Sequence, residues 1–296
     1  MTKAFWGSFV FLMICRGAIA ETAILYTANR QGEVDPCGCQ IKNLGGLSQM
    51  AERIAQIKKM GSPLFLDAGN AFFSGPRMNP DRKDLENARA DLIARSYQLM
   101  GLAAFSPGEG DFSAGGDRFW QLIKKTGALA VSANLEENKG RGTFKPYLVW
   151  SGGGIKILVT GLTAFNASVI PDGIQEKPAR AALKALWKDV EAQKPDQVVV
   201  LSHLGRTEDE KIAREFPGVF IVGSKSLDFL LEPLKLGNSF VFEVGIQGQR
   251  LGEIVLEKGK AGPTTAKLTE LGMEYDKPNG VKKLIQEFKK KKPEKP

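Results

Sequence analysis

Ala23–Cys39, AILYTANRQGEVDPCGC, is the stretch around which this chain is organised. An apolar run, Ala23–Thr27, gives way abruptly to a polar loop carrying Asn29, Gln31, Glu33 and Asp35, and then to a Cys37-Gly38-Cys39 pair. In α/β proteins ligands gather where a parallel strand hands over to its loop, because the carboxyl ends of the strands form the crevice. The loop is therefore a candidate site, and the remaining strand ends decide what kind.

The same alternation runs down the chain. Leu64–Asp67, Ala103–Phe105, Leu129–Ser132, Gln197–Leu201 and Val219–Val222 read as strands. Leu47–Met60, Pro80–Met100, Asp117–Thr126, Ala179–Gln193 and Thr207–Glu215 read as helices between them. Leu85, Leu92, Ile93 and Leu99 form the expected inward stripe of the second helix, and Thr207 with Glu210 has capping-box spacing. Tyr147–Trp150 and Ile155–Gly161 read as a hairpin. Repeated strand–loop–helix units predict an α/β fold, and the β-rich final third predicts a second sheet packed on the first. One domain is expected over residues 21–275, followed by a basic amphipathic helix and tail over 276–296.

The chain has 296 residues, 43% hydrophobic and 25% charged, the composition of an ordinary globular protein. Residues 1–20 stand apart. Lys3, the apolar stretch Ala4–Cys15 and Ala18-Ile19-Ala20 before Glu21 have the pattern of a cleaved signal peptide. Export, to the periplasm in a two-membrane envelope, is the expected address. A lipoprotein acylated at Cys15 is disfavoured, because the preceding Ile14 is bulky where a small residue is wanted. Removing Lys3 and Arg16 leaves 39 basic against 33 acidic residues, a net +6, with much of the excess in Lys282, Lys283, Lys289–Lys292 and Lys295. This is a tail property without aromatic interleaving, so no nucleic-acid partner is expected; the alternative use of such a tail is contact with anionic membrane. Cys37 and Cys39 remain in an oxidising compartment, where a bridge between them would be tight and readily reduced. No P-loop, G-x-S-x-G elbow or C-x-x-C-H haem attachment is present.

The strand ends, taken in order, resemble a known family. ILYTANRQGEV, LFLDAGN, PGEGDF, VVVLSHLG and FIVGSKS are similar to the metallophosphoesterase (calcineurin-like) superfamily, specifically the N-terminal catalytic domain of secreted 5′-nucleotidases. DPCGC with GGLSQMAERI resembles a bacterial Cys-x-Cys subgroup. The resemblance implies a β-sandwich flanked by helices, in α/β/β/α layers, with a two-metal site at the strand ends. Such a site needs a bridging carboxylate and several imidazoles to hold two cations about 3.5–4 Å apart. Carried over by position, the first Asp and His of the family fall on Asn29 and Gln31, and the bridging Asp falls on Asn70. The Asn-His pair falls on Glu109 and Gly110, a His is kept as His203, and the last His pair falls on Lys225 and Leu227.

The preferred reading is a non-catalytic protein that has lost its two metals and needs no cofactor. It binds a small anion or an envelope partner protein in the former cleft, lined by Asn29, Gln31, Asn70, Glu109, Asp111, His203 and Lys225, with Arg30 or Arg206 assisting at an anion. One alternative is a phosphoester hydrolase using a single metal at Glu109, Asp111 and His203, with His203 as the candidate catalytic residue. The other is a thiol or copper protein centred on Cys37 and Cys39.

Overall fold

The computed structural model describes residues 21–37 and 42–291. The expected signal segment, Cys15, Cys39 and the last five residues lie outside the described residues. In chain order come β1 (Glu21–Thr27), α1 (Leu47–Lys58), β2 (Leu64–Asp67), α2 (Lys83–Met100) and β3 (Ala104–Phe105). Next are α3 (Gly116–Thr126), β4 (Leu129–Ala130), β5 (Leu135–Glu137), β6 (Leu148–Gly152) and β7 (Ile155–Thr163). β8 (Ile174–Glu176), α4 (Ala179–Gln193), β9 (Gln197–His203), α5 (Arg206–Glu215) and β10 (Val219–Gly223) follow. The described part closes with β11 (Leu234–Leu236), β12 (Ser239–Glu243), β13 (Arg250–Glu257), β14 (Thr265–Glu270) and α6 (Gly280–Lys291).

Two six-stranded sheets result, ordered β14-β13-β1-β2-β3-β4 and β11-β12-β10-β9-β7-β6. Strand alternation assigns their faces. Ile24 and Tyr26 of β1 meet Ile157 and Val159 of β7 and Val199 and Leu201 of β9 in a core between the sheets. Leu25 instead faces the layer of α1, α2, α3 and α6, while Val198 and Val200 face α4 and α5. Both faces of the inner strands are thus buried, which is why QVVVL is apolar without alternation. The fold is the layered α/β/β/α sandwich.

Four local expectations are corrected. Leu99 is 57% exposed, and Tyr97 and Met100 point inward in its place. A short 3₁₀ turn at Pro80–Arg82, capped by the Asn79 side chain on the Asp81 N–H, precedes α2. α5 starts at Arg206 behind Gly205 with no side-chain cap, so Thr207 lies inside the helix. β9 runs on to His203, so the histidine belongs to a strand rather than a loop. A small sheet of β5 and β8 was not signalled by their polar triplets.

The sheets approach closely beneath the strand ends. A Cβ at Gly161 of β7 would collide with Ser106 Oγ and the Val131 carbonyl oxygen, both from the opposite sheet. Gly161→Ala is expected to lower unfolding free energy by about 2 kcal/mol, the cost of overpacking a close-packed core. Urea denaturation measures it, and an unchanged midpoint contradicts this packing.

Candidate functional site

β1 through β4 are mutually parallel, as are β7, β9, β10 and β12, so their carboxyl ends present loops on one face. The first two loops are laced together by backbone bonds: Asn29 N–H to Gly69 O at 2.8 Å, Gln31 N–H to Asn70 O at 2.8 Å and Gly32 N–H to Ala71 O at 3.0 Å. Asn29, Gln31 and Asn70 all have left-handed backbone, with φ of 48°, 57° and 55°. Asparagine enters that region readily, whereas Gln31 does so at a cost that only an over-determined loop sustains.

The Asn29 and Asn70 side chains bond each other, and each also reaches a further loop. Asn70 Nδ2 donates to Asn29 Oδ1 at 3.2 Å, Asn29 Nδ2 donates to the Ser226 carbonyl at 2.8 Å, and the Gly110 N–H donates to Asn70 Oδ1 at 2.8 Å.

Asp111 lies below this floor, fully buried. It accepts four backbone N–H groups: Asn70 at 2.7 Å and Gly108 at 2.8 Å on Oδ2, Ala71 at 2.8 Å and Phe72 at 3.1 Å on Oδ1. Burial pushes its pKa up to about 6 against the pull of those donors. Asp67, also buried, is pushed up to about 7 by desolvation, opposed by hydrogen bonds from Tyr97 and the Gly69 N–H. Tyr97 Oη sits 2.5 Å from Asp67 Oδ2 and accepts from Arg30 Nε at 3.3 Å.

Arg30, expected at an anion in the cleft, is instead wholly buried, with its guanidinium on Tyr97, the Glu33 carbonyl and Met50. Arg206, the other cation expected there, is paired with the buried Glu243. Both are removed from any anion site.

The opposite wall is ionic. Glu109 Oε1 accepts from the Asn166 backbone N–H at 2.8 Å and from Lys225 Nζ at 3.2 Å, and Oε2 accepts from Asn166 Nδ2 at 2.9 Å. Lys225 Nζ also donates to the Ala164 carbonyl at 2.9 Å. Sequence reasoning missed the loop after β7, which supplies Asn166 and that carbonyl; an uncharged amide at a strand end was its only signal. His203 Nδ1 lies 2.9 Å from Ser224 Oγ, whose hydroxyl donates to the Ser202 carbonyl at 3.0 Å. Ser224 Oγ thus lies between His203 Nδ1 and the Ser202 carbonyl and fixes the ring's orientation. Burial, with the neighbouring Lys225 charge, pushes the His203 pKa down to about 3.

These residues do not fit a two-metal centre. Amides stand where a bridging carboxylate and terminal ligands are needed, and an amide oxygen cannot neutralise two dications. Asp111 has both oxygens committed to backbone, and Glu109 is paired with an ammonium. The set Glu109, Asp111 and His203 is therefore not assembled around one point, and among the described residues no group of three His, Cys, Asp or Glu is placed to hold a metal.

Cys37 lies apart from the cleft, its N–H bonded to the Leu44 carbonyl at 2.8 Å, in a loop tied to α6 by Asp35–Lys289 at 2.8 Å. The apolar side of α6 is spent inward at Val281 and Ile285. Among the described residues no helix is long and apolar enough to cross a membrane.

No family model matches the chain. Over 185 residues it is 27% identical to protein UshA of Yersinia enterocolitica, covering 58% of this chain and 32% of that protein. Over 187 residues it is 27% identical to a 5′-nucleotidase of Vibrio vulnificus, covering 60% and 34%. The chain thus spans about a third of the length of these curated relatives. Among solved structures, a 5′-nucleotidase precursor from Thermus thermophilus superposes with a TM-score of 0.79 at 21% identity, over 92% of this chain and 59% of that one. The calcineurin-like phosphoesterase YfkN from Bacillus subtilis superposes with a TM-score of 0.74 at 15% identity, over 93% and 98%.

His203 is the chain's single histidine, so its resonances are unambiguous. Nitrogen-edited NMR is expected to show one neutral imidazole, unchanged from pH 8 to pH 5. The unfolded chain takes up this proton below about 6.5 while the folded chain resists to about 3. The contribution of His203 to stability is therefore complete above 6.5 and lost as pH falls. A midpoint near the ordinary imidazole value contradicts the buried geometry.

Proposed function

From a chain with the metallophosphoesterase fold that resembles the N-terminal domain of the 5′-nucleotidases, we propose an exported, non-catalytic binding protein. It seats a segment of a partner protein across the former active-site cleft. The observation that carries this reading is a satisfied floor tied through Asn29 to Ser226, at the start of a loop with exposed leucines. The floor amides bond one another, and the Lys225 ammonium is taken by Glu109 and Ala164. Beside them, in the segment joining β10 to β11, Leu227 is 66% and Leu231 72% exposed, with Phe229 half-buried under the Arg250 guanidinium. Leu227 stands where the resemblance places a metal-binding histidine. Exposed leucines gain about 25 cal/mol per Å² when covered, so a rim of them favours a chain laid over it rather than a free ion.

The single-metal hydrolase reading is disfavoured by the commitments of Asp111 and Glu109. The small-anion reading keeps one supporting feature, the ammonium of Lys225, which an anion must win from Glu109.

A displayed peptide library panned against the protein is expected to enrich apolar peptides. Their binding should fall at least about tenfold in a Leu227→Asp/Leu231→Asp variant, as loss of an interface anchor does. It should persist in Met60→Asp/Leu99→Asp, which alters exposed apolar residues elsewhere. Equal binding to both variants contradicts the reading. So does Mn²⁺- or Zn²⁺-dependent hydrolysis of nucleotides that His203→Ala abolishes.

A further inference from the structure

The cleft has a charge arrangement that the absence of metal ligands does not by itself explain. Glu109 is 8% exposed and turns its carboxylate oxygens onto Asn166 and Lys225 in the site wall. Asn166 supplies it with two hydrogen bonds but no charge. A buried carboxylate needs a cation, because desolvation is repaid only by opposite charge and hydrogen bonds together. Lys225 reaches it from the end of β10 on the other sheet, and the same ammonium donates to the Ala164 carbonyl. The nitrogen thus sits between a carboxylate oxygen at 3.2 Å and a carbonyl oxygen at 2.9 Å, close enough to His203 for its charge to oppose protonation of the ring.

We propose that Lys225 is the resident cation of this cleft: its ammonium fills an oxygen-lined cation site made by Glu109 and the Ala164 carbonyl, and deleting the side chain opens that site to a small cation from solution. The inference rests on the metal-free reading of the cleft and deepens it. A carboxylate and a carbonyl oxygen suit an ammonium, which donates a hydrogen bond to each. A tethered ammonium excludes free ones, since its effective concentration at the site exceeds theirs. The site therefore retains a requirement for positive charge where its sequence has lost the means of holding metal. It also joins the two sheets, because Glu109 follows β3 of one sheet and Lys225 follows β10 of the other.

Lys225→Ala and Lys225→Met separate charge from packing. Both variants are expected to melt at least about 3 °C below the wild type, a shift readable for a chain of this size. Ethylammonium chloride should raise the melting temperature of Lys225→Ala saturably, beyond an equal concentration of choline chloride, whose head group is too bulky. Lys225→Met, whose side chain fills the space, should not respond. Glu109→Gln in the same background should remove the ethylammonium response. Glu109→Gln/Lys225→Met should regain most of the stability lost in Lys225→Met, a comparison that holds even if Lys225→Ala fails to fold. An inert wild type with a Lys225→Ala variant that ignores ethylammonium, or a Lys225→Met variant as stable as the wild type, overturns this inference alone. Metal-dependent turnover by the wild type overturns the metal-free reading beneath it.

Discussion

One carboxylate, that of Asp111, holds the site-bearing face in shape. Its two oxygens gather four N–H groups from the loops that follow β2 and β3, at 2.7 to 3.1 Å. Charge-assisted bonds of this kind are roughly twice as strong as neutral ones. They fix the left-handed turn at Asn70, and through the Gln31–Asn70 and Gly32–Ala71 backbone bonds they fix the loop after β1 as well. With its pKa raised only to about 6, Asp111 remains predominantly ionised at neutral pH despite complete burial. The strained φ of Gln31 persists because this frame leaves the loop no other course.

On that frame the cleft is internally consistent. Replacing an acid by an amide of the same shape keeps hydrogen-bonding capacity and removes charge. Asn29 and Asn70 can therefore approach and bond each other, which two carboxylates would not do without a cation between them. The remaining negative charge on this wall, Glu109, is met by Lys225. The fold seen in the 5′-nucleotidase precursor of Thermus thermophilus is thus kept at 21% identity, while Asn29 and Asn70, and Glu109 and Lys225, satisfy one another.

Much of the fold was legible because inner strands buried on both faces read as unbroken apolar runs, as in Gln197–Leu201 and Val219–Val222. Elements whose pairing is set by tertiary context were not legible. The polar triplets of β5 and β8 carry no period, and nothing local chooses Tyr97 over Leu99 for the inner face of α2. In the cleft, the positions of Asn29, Gln31, Asn70, Glu109, His203 and Lys225 followed from strand order. The directions of the arginines did not. A wholly buried Arg30 defies the usual surface preference of arginine, and only the Tyr97–Asp67 network explains it. Asn166 was missed because its role depends on a loop crossing from the opposite sheet.

The cleft meets its charge from within the chain, through Lys225 on Glu109 and the Asn29–Asn70 amide pair. Elemental analysis after equilibration with Mn²⁺ and Zn²⁺ and removal of unbound ions tests it most directly. Substoichiometric metal is expected, with no dependence on His203. Retention of about two ions per chain, as a two-metal site requires, would contradict it.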